Sequence, residues 1–294
     1  MAARICRLLP PHTVYVEPFC GSAAVMFQKG LPEITNNDNY REVLNDTNGQ
    51  VVNFFRVMQD EALRSALIDR LEWTLYSQDE HKKAKEICKA SADNTVNDPV
   101  TMAWAWFVNI SCSFANKLNS GFGTANYNYE PATTFYKKVQ ALKEFRDRLK
   151  CTTIMNEPAL KVIERFDSPQ TVFYVDPPYP GTEQGHYGGF TQADFVELVE
   201  RLKQCHGAVV LSCYHNEAVP SDWVKHEFHA VASSAGITGK NRGISAPTDR
   251  AKDRRIECVW VKQASSPMRE KLVPIAKRNY ETLRINFEDF EYPA

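Results

Sequence analysis

The chain has no apolar run approaching the roughly 18 residues of a membrane-spanning helix. Its first ten residues, Met1 to Pro10, hold neither a long apolar stretch nor a small-residue cleavage site. A cytoplasmic protein with no membrane role is expected. No Cys-x-x-Cys pair occurs among the cysteines at 6, 20, 88, 112, 151, 205, 213 and 258, and none combines with histidine at zinc-ligand spacing. They are read as reduced and mostly buried, and no metal is expected. Neither sign of charge is in excess, with 35 Lys and Arg against 36 Asp and Glu. Any binding to nucleic acid therefore has to use a local basic face. The G-x-G-x-x-G and G-x-x-x-x-G-K-[ST] spacings are also missing, which removes support from a dinucleotide or P-loop site.

What the chain does contain is enough to bury a substantial core: 294 residues, 43% of them apolar. The most informative stretch is Val172-Phe173-Tyr174-Val175-Asp176-Pro177-Pro178-Tyr179. Its apolar, β-branched and aromatic beginning predicts a buried strand. The two prolines then stop the sheet and hold their carbonyls stiffly at the strand's C-terminal end, where open α/β sheets place ligands. A carboxylate, a rigid carbonyl and an aromatic face are presented together. These groups suit a planar base with an exocyclic amine, which needs two acceptors for its N–H bonds and a ring to stack on. A plain turn after a strand is the competing reading, since Asp and Pro are ordinary turn residues.

Two upstream segments bear on the choice. Val14-Tyr15-Val16 predicts a strand, and Glu17-Pro18-Phe19-Cys20-Gly21-Ser22 follows as a turn of small residues leading into a helix, a place where backbone can approach a ligand closely. Glu42 to Asn48 then reads as an apolar strand ending in Asp46. An acid there can bond ribose hydroxyls, or it can cap the helix that begins at Gly49.

Taken together, these segments resemble the D12 class of DNA N6-adenine methyltransferases, the group that includes the Dam enzymes, and phage-type members most. Tyr15-Val16-Glu17-Pro18-Phe19-x-Gly21-Ser22 is similar to the class's S-adenosyl-L-methionine loop, Leu44-Asn45-Asp46-x-Asn48 to its next motif, and Asp176-Pro177-Pro178-Tyr179 to its catalytic motif. Further matches are Phe190-Thr191-x-x-Asp194-Phe195, Gly207 to Tyr214, and Arg255-Ile256-Glu257-x-x-Trp260. The resemblance implies Asp176, Pro177, Pro178 and Tyr179 as catalytic residues. It implies Glu17, Pro18, Phe19, Cys20, Gly21, Ser22, Asp46 and Asp176 as the S-adenosyl-L-methionine site. It further implies double-stranded DNA as substrate and leaves room for a cognate restriction endonuclease as partner. Class members usually begin with a Gly-Gly-Lys segment, preceded by an aromatic, that helps hold the cofactor. This chain starts at Met1-Ala2-Ala3-Arg4 where that segment should have ended: either the sequence is truncated, or another segment substitutes, or the protein binds the cofactor poorly and is no longer an active enzyme. Alternatives left open are an RNA, cytosine N4 or protein-glutamine methyltransferase, or an inactive DNA-binding phage accessory protein.

The fold implied is α/β, a Rossmann-like methyltransferase sheet interrupted by a mostly helical target-recognition insertion. Strands are expected at 14–16, 42–45, 151–155, 172–175, 207–212 and 256–261, with helices at 49–58, 137–149 and 193–204. The catalytic domain takes 1–58 and 136–264, the insertion 59–135 and a tail 265–294. Within the insertion, Trp104, Trp106 and Phe107 are expected to be core. The Asn, Lys and aromatic stretch from 116 to 129 offers Asn116, Lys117 and Asn119 to DNA. A basic loop from 236 to 255 offers Lys240, Arg242 and Arg254 to phosphates, or is a solvated loop with no partner.

Overall fold

The computed structural model describes residues 1–30, 40–92, 97–114, 120–124, 130–180, 190–231 and 254–266. Within them the apolar runs become one sheet. Strands β1 (Val14–Glu17), β2 (Arg41–Asn45), β3 (Thr152–Met155), β4 (Thr171–Val175) and β5 (Ala208–Cys213) are parallel. Between β5 and β6 (Val224–Val231) lies β7 (Arg254–Lys262), antiparallel to both. The order across the sheet is β3-β2-β1-β4-β5-β7-β6. From β1 the chain proceeds to β2 on one side, and from β4 to β5 on the other, so the β1/β4 seam is the topological switch point where such sheets open a crevice.

Alternate residues feed two cores, because side chains along a strand point to opposite faces. Tyr15, Leu44, Val172, Tyr174 and Val210 pack on one face, beneath helices α1 (Ala2–Cys6), α2 (Ala24–Lys29) and α3 (Gly49–Gln59). Val16, Val43, Phe173, Val175 and Leu211 pack on the other, beneath α9 (Ala159–Phe166) and α10 (Gln192–Gln204). The expected apolar stripe of α10, Phe195, Leu198, Val199 and Leu202, is buried there. Its start is fixed by a capping box between Thr191 and Asp194.

Helices α4 (Glu61–Glu72), α5 (Gln78–Ala92) and α6 (Pro99–Ser111) follow α3, and α6 packs against all three. Trp104, Trp106 and Phe107 are buried, as expected, and belong to the same core as the α3 face of the sheet. No described helix is long and apolar enough to cross a membrane.

Two boundaries differ from expectation for identifiable reasons. The helix expected at 137–149 is two, α7 (Pro131–Leu142) and α8 (Phe145–Leu149). Pro131 sits at the first helical position, where its missing N–H costs nothing, and Glu130 caps the Ala132 amide. Strand β6 was not expected. It is an edge strand whose apolar positions alternate with Lys225, Glu227 and His229, too polar to read as a core strand.

One charged cluster is buried beneath the α2 side of the sheet. Glu42 pairs with Lys29 at 2.6 Å and with Arg148, while Tyr40 donates to it at 2.9 Å. Arg148 also donates to the Met26 carbonyl, clamping the last turn of α2. Burial alone would raise the Glu42 carboxyl, but Lys29 and Arg148 outweigh it and hold it below its usual value. Removing it leaves two buried cations together without their anion. Glu42→Gln is expected to lower stability by about 3–5 kcal/mol in urea unfolding at pH 7. Because the folded value is depressed, the pair's contribution is fully present above the ordinary glutamate value of about 4.3 and fades on acidification below it. The wild-type advantage over Glu42→Gln should shrink accordingly in the acid.

Candidate active site

The loop after β1 makes a tight reversal. Gly21 (φ 46°) and Ala23 (φ 55°) both take left-handed backbone, which glycine adopts freely and alanine at a cost of about 1–2 kcal/mol. Such strain persists where the surroundings over-determine the chain, and they do here. The Cys20 amide donates to the Asn45 carbonyl at 2.8 Å, the Gly21 amide to Asp46 Oδ2 at 3.0 Å, and the Ala23 amide to the Cys20 carbonyl at 2.6 Å.

Asp46 and Asn45 divide the work at the end of β2. Asp46, almost fully buried, takes the Gly21 amide on one oxygen and the Asn48 amide on the other, at 2.8 Å. It is not the cap of α3; Asn48 is, through the Gln50 amide at 2.9 Å. Asn45 has no exposed surface and stitches three strand ends together. Its Nδ2 donates to the carbonyls of Pro18 and Glu157, and its Oδ1 accepts the Glu157 amide, all at 2.9 Å. Asn156 completes the seam by donating to the Asp46 carbonyl at 2.7 Å.

Glu17 turns inward. Its Oε1 accepts from the Tyr15 hydroxyl at 2.6 Å and from the Met26 amide at 2.9 Å. Burial pushes its carboxyl up to about 8, against the pull of those two donors. The side chain thus ties the β1 end to α2 from inside the protein. Of the other loop residues, Cys20 is buried, while Phe19 and Ser22 keep partial exposure.

The β1–β4 register pairs Val16 with Phe173, which brings Asp176 and the β1 loop to the same edge. Asp176 is exposed to solvent, whereas Pro177, Pro178 and Tyr179 are buried. The Tyr179 hydroxyl donates to Asp176 Oδ1 at 3.1 Å and shares a contact with Ser212 Oγ at 3.2 Å. Tyr174 donates to Asp176 Oδ2 at 3.3 Å. Desolvation nonetheless leads the influences on this carboxyl and raises it to about 7, with the two tyrosines pulling down and the Glu257 charge pushing up. The residue keeps solvent exposure while the surrounding protein desolvates its carboxyl. Since water still screens Asp176, the shift concerns ligand chemistry more than stability. Aromatic rings line this edge: Phe19 meets Phe190 edge to face at 6.1 Å, and Tyr179 meets Tyr214 at 4.7 Å.

The sequence-expected cofactor loop, Asp46 and the Asp176 motif therefore share one sheet edge. Arg254 opens β7, paired with Val231. Asn116, Lys117, Asn119, Lys240 and Arg242 lie outside the described residues. The supporting residues Asn45, Asn156, Tyr174 and Ser212 were not among the candidates. Asn45 had a signal, a polar residue ending an apolar strand, but Tyr174 and Ser212 read as ordinary strand positions.

A mostly parallel sheet with a tight turn after β1, an acid just after β2 and Asp-Pro-Pro-Tyr just after β4 is a Rossmann-like methyltransferase fold. Residues 1–239 match the D12 class N6 adenine-specific DNA methyltransferase model, and the chain belongs to that family. It is 28% identical over 217 residues to the DNA N-6-adenine-methyltransferase of Escherichia phage P1. That match covers 71% of this chain and 27% of the phage protein, so the chain spans about a quarter of its relative's length. Two structures of the rRNA methyltransferase aviRa from Streptomyces viridochromogenes overlay on 88% of this chain and on 82% and 83% of theirs. Their TM-scores are 0.35 and their identities 10% and 11%.

Asn45→Ala would strand the Pro18 carbonyl and both polar backbone groups of Glu157. A loss of about 2–3 kcal/mol in urea unfolding is expected, against little change for Gln192→Ala, whose exposed side chain meets Asn216 on the surface.

Proposed function

We propose that the protein methylates the N6 amine of adenine in double-stranded DNA, using S-adenosyl-L-methionine. The observation that carries this reading is the Asp176 carboxylate, open to solvent and oriented by two tyrosine hydroxyls beside the β1 loop. The residues present suit the cofactor. Gly21 offers backbone without a Cβ in a tight turn, and Asp46 stands at the neighbouring strand end, latched to that turn through the Gly21 amide. The cofactor supplies an electrophilic methyl group on a sulfonium. Everything else is asked of the chain.

An adenine inside duplex DNA cannot reach this edge, so the base is flipped out, at a few kcal/mol of unstacking, and stacked near Tyr179. Its amine donates to Asp176 and to the Pro177 carbonyl. Those two bonds aim the nitrogen lone pair at the methyl group, so positioning and charge stabilisation do most of the catalysis. Target selection falls to the segment between 59 and 135, with Asn116, Lys117 and Asn119 on base edges. Lys240, Arg242 and Arg254 contribute phosphate contacts, which give affinity and salt dependence without specificity.

Sequencing that detects N6-methyladenine in DNA from cells expressing the chain is expected to show methylation at a defined motif. Asp176→Ala should abolish it while leaving the protein folded. Retained methylation in that variant contradicts the assignment. Because the amine needs the ionised form of Asp176 as acceptor, single-turnover rates should fall as the pH drops through about 7.

A further inference from the structure

Strand β7 brings another acid to the site's edge. In the β5–β7 pairing Cys213 faces Cys258, so Glu257, one residue further, passes the end of β5 beside Tyr214. Val259 and Val261 pack on the face that holds Tyr174. By strand alternation Glu257 projects on that face, as does Asp176, two residues beyond Tyr174. Only β5 separates β4 from β7. The registers place Asp176 level with Ser212 and Val259, so with neighbouring strands about 4.8 Å apart and two residues of offset along β7 the two acids sit on backbones roughly 12 Å apart. Glu257 is half-buried, and both Asp176 and Tyr179 feel its charge.

We propose that Glu257 is the second carboxylate of the active site and accepts the proton that leaves the target amine on methylation. This rests on the adenine-methylation reading above. The amine lone pair forms the new N–C bond as the S–C bond of the sulfonium donor breaks, its electron pair staying on sulfur. Positive charge passes to nitrogen, and one N–H proton has to leave. Asp176 already takes the Tyr174 and Tyr179 hydroxyls, one on each oxygen, which suits it to orient the amine. Glu257, across the gap, takes the proton and later yields it to water. Two carboxylates at this range also repel, so the pair holds a single proton more tightly than either acid alone.

The test uses Glu257→Gln and the charge-retaining Glu257→Asp. In protein without DNA or cofactor, the Asp176 carboxyl can be followed by NMR with labelled aspartate and identified by its absence in Asp176→Asn. It is expected to titrate at lower pH in Glu257→Gln and to return toward the wild-type midpoint in Glu257→Asp. In single-turnover assays with S-adenosyl-L-methionine and duplex DNA, Glu257→Gln should lose about a hundredfold in rate, with methyl-donor affinity little changed. A midpoint that Glu257→Gln does not move overturns the proposal, whether or not the wild-type protein methylates DNA. An undiminished rate in Glu257→Gln overturns the proton-acceptor role. A wild-type protein that methylates no DNA adenine counts against the functional reading, and the titration then judges the carboxylate pair alone.

Discussion

The hydrogen bond from the Gly21 amide to the Asp46 carboxylate closes a circuit that runs from the end of β1 to the end of β2 and, through Asn45 and Asn156, to the end of β3. Parallel strands are joined only through backbone ladders that stop where the strands stop. Beyond that point each loop would be free to choose its own path. Side-chain amides and one carboxylate extend the ladder by two or three residues past the sheet, and the candidate site lies in that extension. Left-handed backbone at Gly21 and Ala23 is tolerated because these bonds leave the loop no alternative.

Helix α2 makes the same loop rigid from its far end. Glu17 holds the Met26 amide, Arg148 holds the Met26 carbonyl, and Lys29 is paired to Glu42. The buried ions are therefore tied to the geometry of the site although they lie away from it. Replacing them with apolar groups could preserve stability, as buried ion pairs often permit, yet the direction in which α2 leaves the loop would lose its charged anchors. On the other side of the seam, β4 ends in two prolines that donate no hydrogen bond, and Asp176 takes its orientation from Tyr174 and Tyr179 instead.

Much of this was legible in the chain, and the limits follow from what each signal measures. Val172 to Val175 and Ala208 to Leu211 announce themselves as buried strands because parallel strands covered on both faces need apolar residues at every position. Phe195 and Leu198 do so through helical spacing. Strand β6 was hidden because an edge strand has one ladder side facing outward and carries Lys225 and Glu227. Motif order pointed to Glu17 as a cofactor residue, whereas its carboxylate is spent on Tyr15 and Met26 inside the protein. Spacing fixes which strand end a residue occupies, but not which way its side chain turns. Asn45 shows the complementary gap: its place at the end of an apolar strand was visible in the sequence, but the three backbone groups its buried amide serves were not.

The turn after β1, latched to Asp46, is the proposed seat of S-adenosyl-L-methionine. Hydrogen–deuterium exchange with and without that compound tests it most directly. Slower exchange on addition is expected at amides 19–23 and 45–48, and at those near Asp176. Exchange that is unchanged at all three segments, or slowed only elsewhere, would contradict it.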